Sequence, residues 1–167
     1  GSTHFCEVFF NDVKVPKGNL VGEVNQGWTI AKRLLQFERN SLSEVKADIT
    51  PLSPLAHEYL GTDALGRIDS LDLRARMVHN AMRHEAYMAT VHRFAQEAKN
   101  GGPSNGVSTL KNLWSGIIQE RSELLVELMG ANGLGWAGDA YGEAEREAAR
   151  ALLHSKAFSI YGGSFEV

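Results

Sequence analysis

The order of apolar and polar positions divides the chain into one short strand-like stretch and four stretches of helical period. "FCEVFFNDVKVP" sets Val and Phe around an Asn-Asp pair and closes on a proline, which predicts a strand and turn. From Asn25 the period changes. Trp28, Ala31, Leu35, Leu42 and Val45 fall on steps of three and four residues and share one face of a helix. Glu38 belongs to the same series, so a carboxylate sits in the middle of an apolar stripe that the pattern predicts to be buried. Residues 49–66 carry Pro51, Pro54, Gly61 and Gly66 and predict a loop, with one short helical turn over residues 55–60.

A second helix is predicted over residues 69–99, capped by Asp69 or Ser70, with Met77, Ala81, Met88, Val91 and Ala95 as its stripe. Ser104 or Asn105 can cap a third, whose stripe is Val107, Leu110, Trp114, Ile117, Leu124 and Leu128, interrupted by Arg121. Gly130 to Gly135 stop it, where Gly and Asn accept the left-handed conformation. A fourth runs from Gly142 to about Ser159. Long helices on short Gly- and Pro-marked connections predict an all-α protein, an up-and-down antiparallel four-helix bundle preceded by a short strand or loop.

Length and charge narrow the function. A chain of 167 residues, 43% of them apolar, is enough for one continuous core. Its 17 Lys and Arg against 20 Asp and Glu give a net charge of -3 and no basic patch of the kind that binds nucleic acid. There is no apolar run of membrane-spanning length and no signal-peptide pattern, which suits a soluble cytoplasmic protein. Cys6 is the single cysteine and has no internal partner to form a disulfide with. Gly1-Ser2 resembles the remnant of a cleaved tag.

Most chemical motifs drop out. "HEAYM" has Met88 where a zinc-protease helix needs its second histidine, and His79, His84 and His92 are not spaced one turn apart. "GANGLG" has no Walker lysine, and neither it nor "YGGS" opens a βαβ unit. Glu38 stands out. A carboxylate on an apolar face is paired, neutralised or facing a cavity, and desolvation raises its pKa toward the range of a general base. Two readings stay open at this point: a structural ion pair with Arg121, or a catalytic role.

"FFNDVKVPKGNLVGEVNQGWTIAKRLLQFER" closely resembles the segment of acyl-CoA dehydrogenases in which the last strand of the middle β domain leads into the first helix of the C-terminal helical domain. "ELLVELMGANGLG" resembles that family's "Q.LGG.G" turn, and "AFSIYGGSFEV" its closing "IY.GT.E" signature. The resemblance implies α,β-dehydrogenation of an acyl-CoA thioester: a glutamate removes the α-proton and the β-hydrogen leaves as hydride to FAD. It implies that residues 1–24 end the middle β domain and residues 25–167 form the helical domain. In many members the base directly precedes the glycine of the closing signature, a position that is Gly162 here. In others it lies on the first helix in an "ER" context, which corresponds to Glu38 as base and Arg39 as substrate contact.

By the same resemblance, Ser164 and Glu166 of the closing signature and Gly130 and Gly133 of the glycine turn are FAD contacts. The expected partners are an acyl-CoA, an electron-transfer flavoprotein and further copies of the chain in a dimer or tetramer, or a related subunit in a heteromer. Two positions depart from the pattern. "HEYLGTDALGRIDS" has no "R..FG" motif, and Glu127 replaces a cofactor-contacting glutamine, an amide donor exchanged for a carboxylate that repels a diphosphate. The alternative is therefore a non-catalytic helical subunit of a heteromeric dehydrogenase. The resemblance also implies that Phe165 and Val167 are stumps of a helix that continues, that the acyl and flavin pockets lie largely on other domains, and that this chain alone is inactive.

Overall fold

The computed structural model describes residues 6–42, 49–100 and 106–164. It divides into two compact units, Gly1–Glu38 and Arg39–Val167.

In the first unit residues 6–16 are irregular rather than a strand. A strand needs a partner edge for its N–H and C=O groups, and none pairs with this segment among the described residues. A 3-10 turn, Lys17–Asn19, follows Pro16, closed by Leu20 N–H donating to the Lys17 carbonyl. Helix α1, Gly27–Leu42, begins where the change of period predicts. On its predicted apolar face, Trp28 is 71% exposed and Leu35 42%. The predicted continuation to Val45 lies outside the described residues.

The second unit holds α2 (Ser53–Leu60), α3 (Leu71–Lys99), α4 (Val107–Met129) and α5 (Glu143–Ser155). The single turn expected over residues 55–60 is thus a full helix, and the described residues hold five helices instead of four. Pro54 lies in the first turn of α2, where its missing N–H has no intrahelical partner to lose. Between α2 and α3, both Leu65 N–H and Arg67 N–H donate to Asp63 Oδ1 at 2.9 Å, folding the loop back on itself. Ser70 caps α3 as expected, its Oγ accepting from Leu73 N–H. The expected caps of α4, Ser104 and Asn105, lie outside the described residues. Among the described residues no helix is long and apolar enough to cross a membrane.

α3 and α4 run antiparallel, as their cross-contacts require: Arg76 meets Glu127, and Asn80 meets Ile117. α4 and α5 are antiparallel too, with Gln119 reaching the Ser155 carbonyl and Ser115 the Phe158 carbonyl. The core forms two apolar clusters. One joins Leu52 and Ala56 to Met77, Leu124 and Leu128; the other packs Tyr87 and Val91 against Leu110 and Ile117. Between them on α3 lies a polar layer. Asn80, 2% exposed, donates to the Ile117 carbonyl and to Glu120, which also accepts from Arg83 at 2.8 Å.

The α4 stripe packs as predicted at Leu110, Ile117, Leu124 and Leu128. The α3 stripe packs as predicted at Met77 and Val91, with Met88 and Ala95 half-buried, and departs at Ala81. Its buried positions are Leu73, Met77, Asn80, Tyr87 and Val91, while Ala81 is exposed.

Candidate functional site

The chain beyond α5 is held by a row of donors on α4. The last four carbonyls of a helix have no intrahelical partner. Here the end of α5 and the 3-10 turn that continues it, Lys156–Ser159, lie alongside α4, where Lys111, Ser115 and Gln119 follow one another at steps of four. Gln119 Nε2 donates to the Ser155 carbonyl at 3.0 Å. Ser115, 2% exposed, places Oγ 2.9 Å from the Phe158 carbonyl and 2.8 Å from that of Lys111. Lys111 Nζ donates to the Gly163 carbonyl. The sequence reading did not single out these three residues, because their only signal is a polar row beside an apolar stripe.

The row leads to the closing turn. Gly162 and Gly163 have φ of 66° and 101°, the left-handed region that favours glycine, and a Cβ at either would meet nothing within 4 Å. Their backbone is open on that side, and Ser164 follows, half-buried. An open backbone, a hydroxyl and the nearby Lys111 cation fit part of an anionic cofactor such as the flavin nucleotide. Gly162, the alternative base position, carries no side chain and cannot take a proton. Glu166 lies outside the described residues.

The glycine turn after α4 fits less well. It forms a 3-10 helix, Gly130–Leu134, instead of a left-handed run through Asn132. Gly130 is left-handed at φ 57° and open. Gly133 is buried, and its missing side chain serves internal packing: a Cβ there would lie 2.6 Å from the Val126 carbonyl oxygen. Glu127 is held by Arg76 through both carboxylate oxygens, each contact 2.8 Å long, and Asp72 also reaches Arg76 at 3.3 Å. The Glu127 hydrogen bonds hold the Arg76 guanidinium above its ordinary pKa. One cation among two carboxylates leaves an excess negative charge, which does not suit a diphosphate. The turn also stands at the far end of α4 from the closing turn. Lys111 and Gly130 are about 28 Å apart at 1.5 Å of rise per residue, so one chain does not bring the two candidate cofactor patches together.

Glu38 and Arg39 fall in α1, two turns after Ala31. Their side chains lie outside the described residues, and so does the expected pairing of Glu38 with Arg121. Arg121 donates to the Thr50 carbonyl, and burial pushes its pKa below the ordinary guanidinium value.

The family described as "Acyl-CoA dehydrogenase, C-terminal domain" matches residues 25–167. Over its whole length the chain is 31% identical to "Acyl-CoA dehydrogenase IpdE1" of Mycolicibacterium smegmatis and covers 40% of that protein. It is 30% identical to the protein of the same name from Mycobacterium tuberculosis, covering 42% of it. It is also 28% identical to "Acyl-CoA dehydrogenase FadE34" of Mycobacterium tuberculosis, covering 22%. The chain therefore spans well under half the length of these relatives. No solved structure matches it at a significant level. The chain belongs to the acyl-CoA dehydrogenase family, whose C-terminal helical domain it carries.

Proposed function

We propose that the chain is the C-terminal domain of a flavin-dependent acyl-CoA dehydrogenase in which Glu38 is the base, with residues 1–24 ending a preceding β domain. The observation that carries this reading is the family match across residues 25–167, which spans α1 through the closing turn. The α-proton of a thioester is a weak acid. Its removal needs a carboxylate held against the substrate and a polarised carbonyl. Glu38 takes the α-proton, and the α-carbon electron pair becomes the new C=C bond as the β-hydrogen departs with its own pair. A bound flavin supplies the acceptor for that hydride. Arg39 contacts the substrate, Ser164 and Glu166 meet the cofactor, and an electron-transfer flavoprotein removes the electrons. The protein acts in the cytoplasm as an oligomer.

Mutation of Glu38 tests the reading. In the full-length protein Glu38→Gln lowers kcat by about 100-fold or more, the usual loss on removing a general base. Turnover within about tenfold of wild type rejects Glu38 as base.

The tie of Glu127 to Arg76 favours a second reading, in which this chain is the helical subunit of a heteromeric dehydrogenase and a related subunit completes the cofactor site. Full-length protein that is colourless alone, but yellow when produced with that subunit, supports it. Stoichiometric flavin in the protein purified alone rejects it.

A further inference from the structure

The donor row on α4 ends at the closing turn, and its last member is a charged group that reaches an irregular segment. Helix ends commonly satisfy their carbonyls with local turns or water. Here three side chains of another helix do so in register, reaching the carbonyls of Ser155, Phe158 and Gly163. The first two stabilise the end of α5 and the 3-10 turn. The third falls beyond any helix, between two left-handed glycines and Ser164, where the backbone has the greatest freedom and no regular element fixes its path. Lys111 sits on α4 one turn before buried Ser115, so its ammonium ties Gly163 to that helix.

We propose that Lys111 is a positioning residue for the cofactor: by holding the Gly163 carbonyl it sets the place of Ser164. The Ser115 and Gln119 contacts form the base of the same device. This rests on the reading of Ser164 as a flavin contact. A charge-assisted hydrogen bond to a backbone carbonyl is stronger than a neutral one, so its loss frees the turn without unfolding α5.

The test compares Lys111→Met, which keeps the aliphatic stem, with Lys111→Arg and Ser164→Ala in the full-length protein. Lys156→Met serves as control, because it removes the exposed ion pair with Glu123 from the same face without touching the closing turn. Two quantities are read: hydrogen exchange of residues 160–164 in flavin-free protein, and flavin affinity by fluorescence titration. In Lys111→Met, exchange in the closing turn quickens while that of α5 is unchanged, and flavin affinity falls by about tenfold, the scale of one charged hydrogen bond. Lys111→Arg restores most of both, and Lys156→Met stays within about twofold of wild type.

Unchanged exchange in Lys111→Met overturns the proposal even if Ser164→Ala weakens flavin binding, and the reading of Ser164 then stands alone. Faster exchange with unchanged flavin affinity, beside a weakened Ser164→Ala, shows a tether with no bearing on the cofactor and overturns it also. If Ser164→Ala leaves flavin affinity unmoved, the reading of Ser164 falls and the proposal falls with it.

Discussion

The side-chain amide of Asn80 crosses from α3 to α4 and donates to both the Ile117 carbonyl at 3.0 Å and Glu120 Oε2 at 2.9 Å. It is the polar link between two apolar clusters, and it is almost wholly excluded from water. Replacing Asn80 with Ala leaves the Glu120 carboxylate one donor short in a half-buried setting. The expected loss of stability is about 1–3 kcal/mol, measured by chemical denaturation of the full-length protein. Asn80→Asp is worse, since it sets a second carboxylate against Glu120.

Ile117 and Leu124 are both about fully buried but belong to different clusters. They lie about 10 Å apart along α4. Each truncation to Ala costs about 2–5 kcal/mol. Because the Asn80 layer separates them, the double variant loses the sum of the two within about 0.5 kcal/mol. A larger departure from additivity, read from the denaturation curves of all four proteins, means that the clusters are one core.

Gly130 and Gly133 fail for different reasons when replaced by Ala. At Gly130 space is free and only the backbone conformation resists, at a cost of about 1–3 kcal/mol. At Gly133 the new methyl meets the Val126 backbone, which has no flexible end to yield. Thermal melts therefore show the greater drop for Gly133→Ala, and the addition of flavin does not rescue it.

Asp63 supplies a pH signature. The Arg67 backbone N–H, seconded by the Arg67 side chain and Leu65 N–H, holds its carboxyl below the ordinary 3.8. A lowered folded-state pKa contributes stability above the unfolded value and loses it as pH falls through the folded one. Wild type thus has a higher Tm than Asp63→Asn near neutral pH, and the gap closes below about pH 4. A gap that widens in acid reverses the assignment.

How much of this was legible in the sequence depends on what each residue advertises. The α4 stripe was plain, because Leu110, Ile117, Leu124 and Leu128 are apolar and buried alike. The α3 stripe was legible at Met77 and Val91 but not throughout. Its inward face also passes through Asn80, whose burial is stabilised by partners on another helix, while apolar Ala81 beside it, which fits the pattern, is exposed. The family, and with it the helical fold, was visible in the three ordered motifs. The donor row on α4 was not, since Lys111, Ser115 and Gln119 have no pattern of their own until α5 lies against them. The charge of Glu127 is plain in the sequence, but its engagement by Arg76 depends on the register of α3 against α4, which no local spacing encodes.

α2, α3 and α5 each lie against α4. This has a consequence for synthesis. The ribosome delivers α2 and α3 before the helix they close on, so their apolar faces wait uncovered until α4 has cleared the exit tunnel. The connections on either side of α4 are short, seven residues (100–106) before it and thirteen (130–142) after it, so little loop entropy opposes the step. Nascent chains arrested before Val107 should depend on chaperones, and those in which α4 is free should release them, before α5 and the closing turn have been made.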